Sequence, residues 1–234
     1  MWGVNAVVRV INQPGGVGIT SLGPVITNEL LAYVNITEYQ PGNPINIALG
    51  SLVVDYHYYE IAEYWVEEIL NISNGNSLLT IYVVNITNSE SQVLGMATIW
   101  LGHVEIPYAL YLSVMVNITN GNAVVWLGYA VIENGTHYGE PGINWAYEVS
   151  LGLAAKVVIM MNPYLATPSG YSYDSELIIG NGLSNAQPFN AQIALLYWNG
   201  ESFMPVTNMY NFAINTNLTS TYLAQPRAVN CPVS

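Results

Sequence analysis

Charge is the scarcest commodity in this chain. Of 234 residues only 8% are charged, and the three cations (Arg9, Lys156 and Arg227) face 15 acids, for a formal net charge of −12. Phosphate binding needs clustered lysine and arginine, so nucleic acid is excluded as a partner. With one cysteine, Cys231, no intrachain disulfide can form, and stability must come from packing. The chain is 52% hydrophobic, yet it has no uninterrupted apolar run long enough to cross a bilayer. No transmembrane segment is therefore expected. Met1–Asn5 lacks the basic segment and apolar core of a secretory leader. His57, His103 and His137 lack metal-ligand spacing, so neither a metal nor a small-molecule cofactor is expected.

What is present is asparagine at the ends of apolar runs. Val34-Asn35-Ile36-Thr37, Val84-Asn85-Ile86-Thr87 and Val116-Asn117-Ile118-Thr119 repeat one tetrapeptide, and Leu70-Asn71-Ile72-Ser73 varies it. Turn residues follow, as Gln40-Pro41-Gly42, Asn74-Gly75 and Asn120-Gly121, so each copy marks the end of a strand. Each is also an Asn-x-Ser/Thr acceptor for an N-linked glycan in a secreted protein. Asn134 and Asn217 bring the acceptors to six, where 26 Asn and 28 Ser plus Thr would give about three by random placement. Covalent glycans at Asn35, Asn71, Asn85, Asn117, Asn134 and Asn217 would supply the hydrophilic surface that charge does not.

Short apolar and alternating runs punctuated by turns predict an all-β fold, an antiparallel β-sandwich. Expected strands include Ile45–Tyr56, Leu78–Val84, Met96–Leu101, Tyr108–Val116, Ala123–Ile132, Trp145–Leu153, Lys156–Met161, Ser175–Ile179 and Ala191–Trp198. Tyr58–Leu70 fits a strand, but Ile61, Tyr64, Trp65, Glu68 and Ile69 also follow a helical period. At the N-terminus Trp2, Val4, Ala6, Val8 and Val10 alternate on one face, and Gln13-Pro14-Gly15-Gly16 cuts that run off. This divides the chain into a separable strand, residues 1–12, and a body, residues 13–234.

The C-terminal half resembles the thermopsins, secreted acid proteases of hot-acid archaea. Thr167-Pro168-Ser169-Gly170 followed by Tyr173-Asp174-Ser175-Glu176-Leu177 and Gly180 is similar to their TPSG-x-x-YDAEL-x-x-G segment. Leu196–Gly200 and Tyr210–Thr216 resemble their YWNG and YNFG-x-x-TAE segments, with weaker echoes at Tyr64-Trp65-Val66 and Val124–Tyr129. The likeness spans roughly residues 45–219 and implies an extracellular, acid-stable β protein. Two family acids are missing: Gly23–Glu29 lacks the aspartate of an N-terminal motif, and Asn217 stands within the last one.

Acid proteolysis needs carboxyls that share protons. The two aspartates, Asp55 and Asp174, are the candidate pair, against the alternative that each makes a structural hydrogen bond. A detached alternating strand suggests a different role, donation into the open sheet of the next copy. Repeated head to tail, that contact builds a filament, a design resembling archaeal threads. The expectation favoured here is an extracellular, glycosylated filament subunit, a homopolymer joined through Trp2, Val4, Ala6, Val8 and Val10 and not an enzyme. The alternatives are an acid endopeptidase using Asp55 and Asp174, or a monomeric surface glycoprotein.

Overall fold

The computed structural model describes residues 3–10, 16–21, 24–38, 44–57, 60–89, 91–132, 142–180, 189–206, 209–213 and 227–229. Eighteen strands form two antiparallel sheets. The first contains β1 (Gly3–Val10), β4 (Glu29–Glu38), β9 (Tyr108–Thr119), β10 (Asn122–Ile132), β11 (Asn144–Leu153), β15 (Phe189–Trp198), β16 (Phe203–Pro205) and β18 (Arg227–Val229). Its order is β11-β10-β9-β4-β15-β1-β18, with β16 on β15. The second contains β2 (Gly16–Ser21), β3 (Val25–Thr27), β5 (Ile45–His57), β6 (Glu60–Ser73), β7 (Asn76–Asn85), β8 (Gln92–His103), β12 (Lys156–Ala166), β13 (Ser172–Tyr173), β14 (Ser175–Gly180) and β17 (Met209–Ala213). Here the order is β17-β2-β14-β5-β6-β7-β8, and β12 bridges β3, β5 and β13. The expected all-β antiparallel sandwich is the observed fold.

The asparagine-rich repeats stand at strand ends. β4, β6, β7 and β9 finish within one residue of Thr37, Ser73, Asn85 and Thr119. Asn74-Gly75 and Asn120-Gly121 close the β6–β7 and β9–β10 hairpins with positive φ at both central residues. Two-residue hairpins favour that geometry because its twist matches the flanking strands, and Asn-Gly tolerates it best. The ambiguous Tyr58–Leu70 run falls largely in strand β6, because pairing to β5 and β7 along its length overrides any local helical period.

One core fills the space between the sheets. Leu30, Ala32, Val34 and Ile36 from β4 and Leu110, Leu112 and Val114 from β9 meet Ile47, Leu49 and Val53 from β5 and Val66 and Leu70 from β6. Strand alternation therefore sends the odd residues of β5 and the even residues of β6 inward, and their neighbours to the outer face. Inward alternation carries acids into this core, among them Glu68, which is 0% exposed opposite Leu49.

The filament expectation is corrected here. Strand β1 pairs antiparallel with β15 from Ala6↔Ile193 to Val10↔Phe189, and with β18 from Gly3↔Val229 to Asn5↔Arg227. Its backbone bonds are thus made within its own sheet and are not offered to another copy. Alternation predicts a strand but says nothing about whose sheet it joins. Trp2 and the side chains of Val4, Ala6, Val8 and Val10 lie outside the described residues.

Neither carboxyl oxygen of Glu68 has a hydrogen-bond partner of standard geometry. Burial pushes its pKa well above the carboxylate range, and the backbone amides of Ser113 and Gly128 across the interface offset this only in part. Among the described residues, the titratable groups of that inner face are Asp55 and His57 on β5, Tyr64 on β6, Tyr108 on β9, Tyr129 on β10, Tyr147 on β11 and Tyr197 on β15, and no lysine or arginine is buried. A carboxyl with a raised folded pKa binds more protons folded than unfolded, so its stabilising contribution is full below the unfolded value and disappears as pH rises through the folded one. Denaturant midpoints should therefore fall from about pH 4 upward, with a slope of about 1.4 kcal/mol per pH unit for each such group. Urea titrations of Glu68→Gln should show a shallower fall and greater stability than wild type at neutral pH. Equal slopes in the two proteins would contradict this.

Candidate active site

Asp55 and Asp174 do not form a pair. Asp55 shares the inner face of β5 with Val53, is 3% exposed, and lies beside Tyr64, whose hydroxyl donates to the Leu151 carbonyl at 3.2 Å. Burial raises Asp55 to about 6, partly countered by His57, and burial together with Asp55 pushes Tyr64 up to about 12. Asp174 sits where the edge of β5 changes partner. β14 pairs with Asn46–Ser51 and β12 with Val53–Tyr56, and between them the Asp174 carbonyl accepts from Leu52 N at 3.0 Å. Its carboxyl accepts from Ser175 N at 2.8 Å and is raised to about 7, first by burial and then by Glu176. The electrostatic neighbour of Asp174 is thus Glu176, not Asp55.

Glu176 leads to the site. Leu177 enters the core, so Glu176 faces outward. It stands in register with Gly50 of β5, which is in register with Glu67 of β6, Tyr82 of β7 and Met96 of β8. Two half-buried glutamates therefore flank a glycine in one row of the outer face. Burial raises both, and Glu176 raises Glu67 further. The Cα separation is two strand spacings, about 10 Å, and Gly50 contributes no side chain to the gap between them. Trp65, one row along β6, lies over that glycine: a Cβ added there would come within 2.5 Å of the indole. The Trp65 indole also donates a hydrogen bond to Glu67 that lowers its pKa.

From the sequence Asp174 was a candidate and Glu67 was not, while Glu176 entered only as part of the family-like segment. Glu67 lay in the run whose period was ambiguous, so its face could not be assigned. Once β6 is known to be a strand, alternation alone separates Glu67 (out) from Glu68 (in).

A third buried acid holds the segment that delivers Asp174 and Glu176. Glu63, on the outer face and 0% exposed, accepts from Thr167 Oγ1 at 2.7 Å and Ser169 N at 3.2 Å. Thr167 Oγ1 accepts from Tyr171 N at 3.2 Å, and Ser169 Oγ accepts from Asn88 N at 2.8 Å. Gly170 closes this turn at φ +88°, a conformation suited to glycine. The Thr-Pro-Ser-Gly motif thus clamps a buried carboxyl and does not itself present a reactive group outward.

The thermopsin family profile matches residues 96–223, more than half of the sequence. The chain belongs to the thermopsin family. It is 25% identical to thermopsin of Sulfolobus acidocaldarius over 265 aligned positions, covering 91% of this chain and 77% of that relative. Among solved structures, the chain is similar to Scytalido-glutamic peptidase bound to a peptide-based transition state analog (10% identity, 100% and 93% coverage, TM-score 0.31). It is also similar to a heptameric SAP-like pentraxin from Limulus polyphemus (10% identity, 90% and 94% coverage, TM-score 0.29). Scores of this size carry no argument about the site. Within the thermopsin-family chain, however, two segments that resemble the family in sequence, around Trp65 and around Asp174 and Glu176, meet on one face.

The acceptor asparagines differ in setting. Asn117 is exposed, and its Oδ1 accepts from Ile118 N at 2.8 Å. Asn85 Oδ1 accepts from Thr87 N at 2.9 Å. Asn35 is paired within β4, between Gln192 and Ala109. The Asn71 side-chain amide donates to Asn46 Oδ1 at 2.6 Å on the same face as Glu67. Asn134 and Asn217 lie outside the described residues.

Replacing Thr167 by Val leaves the buried Glu63 carboxyl short of a donor and should cost about 1–3 kcal/mol. Thr167→Ser should restore most of it. Chemical denaturation below pH 5 measures both, and an unchanged Val variant would show that the clamp contributes nothing.

Proposed function

We propose that this chain is an extracellular acid peptidase in which Glu176 is the general base and Glu67 the general acid. The observation that carries the reading is the row Glu176–Gly50–Glu67, two carboxyls raised together on an open sheet face, in a chain of the thermopsin family. Burial alone raises Glu176, whereas the charge of Glu176 raises Glu67 further, so the two ionise in sequence and over an acidic interval Glu176 is charged while Glu67 holds a proton.

The chemistry then follows without a covalent intermediate. Glu176, as carboxylate, takes a proton from a water between the two groups, and the oxygen of that water bonds to the scissile carbonyl carbon. The Glu67 proton passes to the carbonyl oxygen, which gives a neutral tetrahedral diol. As the carbon–nitrogen bond breaks, the proton on Glu176 goes to the departing amine, and a diol hydroxyl returns a proton to Glu67. Both groups end as they began. Asp174, raised to about 7, is uncharged in acid and adds no repulsion to the ionised base.

A filament subunit is not supported. Family membership points to peptidase chemistry, and β1 is already paired at home.

The test is hydrolysis of an acid-unfolded protein across pH 2–8. Activity should peak in acid, and Glu67→Gln and Glu176→Gln should each lower kcat by about a hundredfold or more. Asp55→Asn should retain acid activity, since that residue faces the core. Wild-type protein that cleaves nothing in acid would refute the reading.

Surface glycans follow from the same extracellular setting. Asn117, exposed at the end of β9, is the acceptor best placed for one, whereas the Asn71 amide is engaged with Asn46. Peptide mass spectrometry of the native protein should find a modified Asn117 and an unmodified Asn71; the reverse pattern would contradict this.

A further inference from the structure

Beyond Glu67 the outer face of the second sheet changes character. The row that holds the two glutamates continues from Glu67 to Tyr82 of β7 and Met96 of β8, and β8 is the last strand on this side of the sheet. The next row along these strands is Thr80 and Thr98, and the one after it Leu78 and Trp100. The outward face of an antiparallel sheet is ordinarily polar. Here none of these residues is charged, and three large apolar side chains stand in solvent: Met96 is 62% exposed, Trp100 61% and Leu78 36%. The core does not account for them, because Leu79, Ile81 and Val83 of β7 and Ala97, Ile99 and Leu101 of β8 already face it.

Cover thins in the same direction. Gly50 is buried, Glu67 and Tyr82 are half-buried, and Met96 is exposed. On the other side of the glutamate row the face is shut. Leu52, Val54, Ile86, Val158 and Tyr173 form a buried cluster with Trp65 packed against it, and the indole lies over Gly50. A chain held at Gly50 therefore cannot continue along β5 past Trp65. It can continue across the strands, over Tyr82 and Met96.

We propose that one half of the polypeptide substrate crosses the sheet along this row, and that Met96 is a specificity-determining residue that receives a large uncharged substrate side chain remote from the bond cut. This rests on the peptidase reading above. The shelf is continuous with the glutamate row, so a substrate placed on the carboxyls meets it without turning. Met96 is three strand spacings from Gly50, about 14 Å, and an extended chain advances about 3.4 Å per residue, so the residue over Met96 is about the fourth from the scissile bond. An acid-unfolded protein supplies what fits there, apolar side chains released from its core. Its lysines and arginines stay charged in acid and find no counter-ion on Tyr82, Met96 or the threonines beside them.

The experiment compares two quenched fluorogenic peptides in acid, one with two residues on each side of the scissile bond and one with five. Binding energy remote from the reacting atoms is used in the transition state, so the wild type should show a kcat/KM at least about tenfold higher for the longer peptide. In Met96→Thr that ratio should fall by about tenfold, the scale of a lost apolar contact, with the short peptide unaffected. Trp100→Thr removes a larger group from the same strand two rows away and should keep the wild-type ratio. Both side chains are more than half exposed, so neither change opens the core. A ratio that is equal in Met96→Thr and wild type, or that falls as far in Trp100→Thr, overturns the proposal.

If Glu67→Gln and Glu176→Gln cleave the short peptide at the wild-type rate, it is the peptidase assignment that fails. The contact is then read without turnover, using a longer peptide whose scissile amide is replaced by a reduced CH2–NH bond. The Met96 methyl NMR signal, assigned by its absence in Met96→Thr, should shift on adding that peptide and stay in place with its short counterpart. An unmoved signal at saturation overturns the proposal as well.

Discussion

Glu68 carries its carboxyl into the seam between the two sheets, where no lysine or arginine is buried among the described residues. The sheets can close around that residue at little cost only while it holds a proton, because an ionised carboxyl in an apolar core is far too poorly solvated to persist. With three cations in the whole chain against 15 acids, ion pairing cannot solve this problem for Glu68 or for most of its counterparts. Asp55, Glu67, Asp174 and Glu176 are all raised by burial as their first cause. The scarcity of positive charge and the burial of acids are thus one constraint seen at two levels: protons take the place of cations, and the fold is stable where protons are abundant.

The same constraint links scaffold to site through a single strand. β6 alternates between its faces, so Glu63 and Glu67 emerge outward while Glu68 and Val66 turn in. Glu67 and Glu68 are neighbours in sequence but meet different environments. One has an indole donor and an open face, and it ionises more readily. The other lies in the closed core, where burial raises it well above the carboxylate range and the amides of Ser113 and Gly128 offset this only in part. β5 supplies the complementary element, since its edge passes from β14 to β12 between Ser51 and Val53 and leaves Asp174 at the break. A bulkier residue at Gly50 would close the gap in the glutamate row and lift Trp65 away.

The sequence carried the architecture better than the site. Asn-x-Ser/Thr copies followed by Asn-Gly located the ends of β6 and β9, because the left-handed turn needs those residues regardless of what the sheets pack against. The family-like segment drew attention to Asp174, and Asp55 was paired with it as the other aspartate of the chain. Asp55 faces the core from β5, whereas Asp174 stands between β13 and β14 at the edge of that strand, and facing depends on which neighbours form the core. Glu176, two residues beyond Asp174, was the better choice, but its partner Glu67 is more than a hundred positions away and enters only through the register of three strands. The N-terminal run illustrates the same limit. Its alternation is intrinsic to Gly3–Val10, whereas pairing with β15 and β18 is a property of the whole sheet.

The choice of glutamate over aspartate for the outer row follows from that register. Side chains on β14 and β6 that are to act on one water must bridge two strand spacings, about 10 Å between Cα atoms, across a residue with no side chain of its own. Two aspartates at these positions would fall short by a methylene on each side, and the charge repulsion that keeps one of them protonated would weaken with the added distance. Longer glutamates can converge but are more mobile, and mobility would blur which of them holds the proton. A rigid indole resting on the intervening glycine fills the gap over which the glutamates converge and narrows the space in which they can move.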